Sequence, residues 1–227
     1  MKYLMMTCLF LFAFAGMSQK TFIGVKAGGH TGSAYIEHTI FNIINNNGIK
    51  NGINGGLMVK YFPKERNVFL KSGLQFSVNY AQKGWTQVFL TNEPTFSARM
   101  DYIEIPVEAI GYFGNKNKFF ITAGFFFEYL INYELDPTPN EENTGGQDFS
   151  TYDPSRDKEA GYGMRASGGY FREFSFGMIH LEGFFSYSIS NFIDPGDLTT
   201  RTADISNLWY TGVSLGYLIN VSKKKEQ

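Results

Sequence analysis

Acid–base chemistry is sparse in this sequence, and its spacing limits what it can do. His180 stands two residues before Glu182, which puts both side chains on one face of a strand and would suit a base with an orienting carboxylate. No serine is specified beside them, and no Gly-x-Ser-x-Gly segment occurs. A histidine satisfied inside packed protein is the simpler reading. His38 next to Glu37 could serve a hydrolase or protease at an outer rim, but its segment fixes no such geometry. Glu134, Asp136, Glu141, Glu142, Asp148, Asp153 and Asp157 offer oxygens to calcium at a spacing that matches no standard calcium loop. A solvated acidic connection explains them better. The one cysteine, Cys8, lies near the start and leaves no disulfide or thiolate metal site downstream. We expect no enzyme, no cofactor and no metal.

A second set of residues is ordered by parity. Lys26, Lys60, Lys71 and Arg165 face the same way as Glu104, Glu108, Glu128, His180 and Glu182 when every second residue is read, and the opposite face is almost wholly apolar. A soluble sheet turns its polar face to water. Here lipid would take the apolar face, and the charges would pair in the lumen of a barrel as a network. The lysines come from the first three strands and most of the glutamates from the next two, so pairing should largely cross the lumen.

About eight segments carry this alternation: 22–29, 55–62, 68–80, 101–113, 118–133, 161–171, 174–189 and 208–221. Their connections alternate in length. Residues 63–67, 114–117 and 172–173 are short turns; 30–54, 81–100, 132–160 and 190–207 are long and rich in Asn, Asp and Thr. Short periplasmic turns and long outer loops are the pattern of outer-membrane barrels. Residues 1–18 read as a secretory signal peptide, with Lys2, an apolar run and the small residues Gly16 and Ser18; its apolar run is too short to span a bilayer. Residues 19–227 then form the barrel domain. Aromatics at 17% beside 25 glycines suit interface girdles and strand bends, with Tyr61, Tyr80, Trp85, Tyr112, Tyr133, Tyr187 and Trp209 as girdle candidates. A net charge of −1 excludes a nucleic-acid footprint.

Three stretches resemble one family: Phe-Ile-Gly-Val-Lys-Ala-Gly-Gly at 22–29, Ser-Gly-Leu-Gln-Phe-Ser-Val-Asn-Tyr-Ala-Gln-Lys-Gly at 72–84, and Tyr-Ile-Glu-Ile-Pro-Val-Glu-Ala at 102–109. They are similar to the PorT-like outer-membrane beta-barrels. The resemblance implies a small outer-membrane barrel without implying an activity, and makes Pro106 a family feature. The chain departs from the barrel pattern after its last strand, where Ser222 to Gln227 carry three lysines in place of a terminal aromatic. The sequence thus implies an all-β, eight-stranded antiparallel up-and-down transmembrane barrel in the bacterial outer membrane. It would be monomeric, bathed in outer-membrane lipid, and would act structurally or through its outer loops on an extracellular or periplasmic protein partner. An outer-rim enzyme, a narrow pore and a secreted soluble barrel around an apolar ligand are the rival readings.

Overall fold

The computed structural model describes residues 18–38, 43–44, 47–63, 69–87, 96–136, 152–195 and 203–222. Its strands are β1 (Ser18–His38), β2 (Ile43–Ile44), β3 (Asn47–Gly48), β4 (Lys50–Pro63), β5 (Lys71–Gln87), β6 (Phe96–Phe113), β7 (Asn117–Asp136), β8 (Ala160–Phe174), β9 (Gly177–Ser188) and β10 (Ile205–Asn220). All but the two-residue β2 and β3 build the wall. Each wall strand pairs antiparallel with the next, and β10 returns to β1 in a register running from Phe22 against Asn220 to Glu37 against Ile205. Closure removes the sheet edges, so every strand of the wall satisfies its backbone against a neighbour.

The two faces are inverted relative to a soluble barrel. Gln75, Ser77 and Asn79 are buried in β5, while Leu74, Phe76 and Val78 between them are exposed. The same holds around the wall, where Leu57, Ile121, Phe127 and Val213 are each more than 60% exposed. A continuous apolar band of this kind would aggregate in water and is what a bilayer stabilises. At the short-turn end the band finishes in a row of packed rings: Phe69, Phe113, Phe119 and Tyr170 follow one another at centroid spacings of 5.6, 5.8 and 5.7 Å. Phe174 and Phe176 continue the girdle at 5.1 Å. Three expected girdle residues are elsewhere: Trp85 and Tyr112 share parity with the lumen face and are buried there, and Tyr133 packs against the apolar cluster at the long-loop end.

The strands run from 12 to 21 residues, against about 9–11 for a tilted crossing. The excess lies at the long-loop end. There β5, β6 and β7 remain paired until Gln87 meets Phe96 and Ser97 meets Asp136, whereas the β7–β8 ladder stops at Tyr129 against Ala160. Much of the expected long loops is therefore strand, namely residues 30–38, 50–54, 81–87, 96–100 and 132–136. Outward positions above the lipid become polar, as at Gln82, Arg99 and Glu134, so the hydropathy signal ends while the hydrogen-bond ladder continues. At the other end β6 turns into β7 over three residues, with Gly114 at φ 104°, a conformation open mainly to glycine. All but the last residue of the expected leader at 1–18, and most of the expected turn at 63–67, lie outside the described residues.

Candidate functional site

The lumen is filled in three layers. Nearest the short turns, Phe22, Met58, Phe62, Tyr112, Phe120 and Phe171 belong to one apolar cluster. Below it at the rim, Glu173 accepts from Lys20 at 2.8 Å and Lys118 at 2.5 Å, tying β8 to β1 across the mouth. At the long-loop end a second apolar cluster gathers Trp85, Met100, Tyr102, Tyr152, Phe192 and Ile193. The charged belt lies between them.

In the half of the belt nearer the long loops, the Lys83 ammonium sits between Glu104, at 2.6 Å, and Glu128. Glu104 and Glu128 are register partners on β6 and β7, so Lys83 neutralises a like-charged pair that would otherwise face each other. The Tyr210 hydroxyl donates to Glu104 and receives Arg165 Nη1 at 3.3 Å. The half nearer the short turns is held looser. Glu182 meets Lys26 at 3.4 Å, Arg165 at 3.7 Å and His180 Nε2 at 3.4 Å, and accepts from Ser214 at 3.2 Å. Arg165 also approaches Glu108 at 3.9 Å, and Glu108 accepts from Gln75 at 2.9 Å and Thr122 at 2.6 Å. Lys60 donates to His180 Nδ1 at 2.9 Å and stands 4.4 Å from the Phe120 ring centroid.

Of the nine residues expected in the network, Lys26, Lys60, Glu104, Glu108, Glu128, Arg165, His180 and Glu182 are buried in this belt. Lys71 is not with them: it is the half-buried first residue of β5, opposite Tyr112 at the short-turn rim. Lys83 takes the place of the fourth cation. Its signal was present in the sequence, because the inward parity of residues 75, 77 and 79 continues through 81 and 83 once the strand is allowed to run past Tyr80. His30 continues β1 in the same way, receiving Asn54 and bonding the Gln82 carbonyl at 2.8 Å. The contacts do not all cross the lumen. Lys60 to His180 does, but Lys26 reaches Glu182 on β9 rather than a glutamate of β6 or β7, and Lys83 pairs with Glu104 on the adjacent β6 and Glu128 one strand further on.

The outer cap is made by the connections. Phe192 packs on Trp85 at 5.1 Å and Tyr152 on Tyr133 at 4.8 Å. Asp157 joins the two loops, accepting from the backbone N–H of Asp153 (2.7 Å) and Asp194 (2.8 Å) and from Arg156 Nε (2.7 Å). Hydrogen bonds from the Ser155 hydroxyl and N–H hold the Asp153 carboxyl below its ordinary range. Burial pushes the Tyr152 phenol up. Beside Glu128, between Tyr102, Ser188 and Phe192, the open space is about 10 Å³, room for about one water. Glu37 accepts from Tyr35, and the His38 side chain lies outside the described residues, as do Glu141, Glu142 and Asp148. Among the described residues no group of His, Cys, Asp and Glu is arranged to hold a metal ion.

A closed eight-stranded wall with an apolar outer band and a charged, capped lumen defines a transmembrane β-barrel. The chain belongs to the outer membrane protein beta-barrel domain family, whose model matches residues 17–194. Among solved structures it is similar to the outer membrane protein OprG from Pseudomonas aeruginosa, at 13% identity over 90% of this chain and 98% of that one, with a TM-score of 0.52. It also matches Ail, the attachment invasion locus protein of Yersinia pestis, solved with the heparin analogue sucrose octasulfate (7% identity, 88% and 100% covered, TM-score 0.43), and the outer membrane protease OmpT from Escherichia coli (11%, 89% and 97%, TM-score 0.37). No curated protein sequence matches the chain. The protein resides in the bacterial outer membrane.

Proposed function

We propose that this barrel is a sealed, non-conducting and non-enzymatic surface protein that acts through its outer wall and loops. The observation that carries the reading is the filling of the lumen: an apolar layer at each end and, between them, Lys26, Lys60, Lys83 and Arg165 set against Glu104, Glu108, Glu128 and Glu182. An eight-stranded lumen is just wide enough for side chains to fill, so no aqueous path remains beside a packed belt. The raised wall of β5, β6 and β7 and the loop segments joined at Asp157 are the surfaces left for an extracellular protein partner. The resemblance at residues 102–109 supports a PorT-like subgroup, and residues 1–18 a cleaved signal peptide preceding a monomeric barrel at 19–227.

Single-channel recording of the folded protein in planar bilayers tests the reading. No conductance steps are expected, and a variant truncating the cap, Phe192→Ala with Trp85→Ala, stays closed because the belt and the inner apolar layer remain. Reproducible ion conductance of the wild type would overturn it.

A further inference from the structure

Charge is divided along the barrel axis. At the periplasmic, short-turn end the described residues carry Lys20, Lys71, Lys116, Lys118 and Arg172 against Glu173. The sequence adds Lys64 and Arg66 between β4 and β5 and Lys223 to Lys225 after β10, against Glu65 and Glu226. The outer end has the opposite sign, since Glu134, Asp136, Asp153 and Asp204 with their neighbours outweigh Lys50, Arg99, Arg156 and Lys158. Lys20 and Lys118 are engaged with Glu173 at the lumen mouth. Lys116 and Arg172 are different: both are exposed on the outside of the barrel.

Their position relative to the girdle identifies the partner. Rings that end the apolar band mark the edge of the hydrocarbon. Lys116 stands in the turn between Phe113 and Phe119, two girdle rings, and the Arg172 guanidinium lies 5.1 Å from the Phe174 centroid. Both cations therefore stand at headgroup depth, where phosphate is the abundant anion and a guanidinium can hold it with two parallel N–H bonds. A soluble acidic partner would not need cations seated on lipid-facing rings.

We infer that the short-turn end is a collar for anionic phospholipid headgroups of the periplasmic leaflet, with Lys116 and Arg172 as its contact cations. The inference is independent of whether the lumen conducts.

Native mass spectrometry of the full, folded barrel in detergent, offered phosphatidylglycerol and phosphatidylethanolamine of matched chains, tests it. The wild type should retain phosphatidylglycerol several-fold over phosphatidylethanolamine. Lys116→Gln with Arg172→Gln should bring the ratio close to one with heat-modifiable gel mobility unchanged, and Arg172→Lys should keep part of the preference. Lys158→Gln at the outer end should leave it intact. Equal retention of the two lipids by the wild type, a preference that survives the double substitution, or an equal loss with Lys158→Gln would each overturn the collar. Displacement of the bound lipid by inorganic phosphate at low millimolar concentration would assign the site to a soluble anion and overturn it too.

Discussion

Lys83 and Lys60 are both fully enclosed in the lumen, one in each half of the belt, and their surroundings differ in kind. Lys83 is gripped by two carboxylates, with the Tyr102, Phe126 and Tyr210 rings each 4.9 Å away. Lys60 has no carboxylate within ion-pair distance among the described residues, and is held by an imidazole nitrogen and ring faces. A buried charge must be compensated, but the means can be a direct ion pair or a lone pair with aromatic quadrupoles. The difference predicts that one lysine holds its neighbours in place while the other is nearly dispensable.

The most damaging test of that contrast is Lys83→Met. It leaves Glu104 and Glu128 facing each other without a cation, and breaking a buried pair in this way costs about 3–5 kcal/mol. The urea midpoint of unfolding from lipid vesicles should fall accordingly, and a shift as small as that of Lys60→Met would remove the distinction. Tyr210→Phe comes next. It takes a hydroxyl from Glu104 and from Arg165 while keeping the ring, and losing a bond to a charged group costs about 1.5–3 kcal/mol. Lys60→Met removes a charge that has no carboxylate of its own and fills the same volume, so the same unfolding midpoint should move by less than about 1 kcal/mol or rise. A loss equal to that of Lys83→Met would show that Glu182 and Glu108 act on Lys60 from farther away than ion-pair distance.

The smallest effect lies outside the membrane and sharpens the contrast between belt and cap. Asp153 has a depressed carboxyl pKa, so its contribution is present above the ordinary value of about 3.9 and is lost as pH falls through the folded value. Ser155→Ala should raise the Asp153 titration midpoint seen by NMR toward that ordinary value, with a correspondingly small loss of stability at neutral pH that vanishes as pH falls below the folded value. An unchanged titration would rule out the Ser155 contacts as its cause.

How much of this was legible in the residues depends on where lipid is. Inside the bilayer the alternation is strict, because each outward side chain must be apolar, and β5 from Leu74 to Val78 could be assigned from sequence. Above the lipid, Gln82, Arg99, Asn132 and Glu134 face outward in strands as polar residues, so the same ladder reads as loop. That is why Lys83 and His30 lie beyond the alternating segments, whereas Lys71 shares the inward parity and differs from the belt only in depth, at the short-turn rim. Trp85 and Tyr112 fit a girdle by type alone; parity turns both into the lumen, and for Trp85 that parity shows only once β5 runs past Tyr80.

By itself the sequence determined the number of strands, their inverted sidedness and the alternation of short and long connections. These follow from local chemistry: a two-residue period and the solvent each face must meet. Tertiary structure decided which cation meets which carboxylate, because partners such as Lys26 and Glu182 are 156 residues apart and are brought together only by the register in which β10 closes on β1. It also decided that the lumen is capped, since Phe192 and Asp157 act only once two distant loops meet over the mouth.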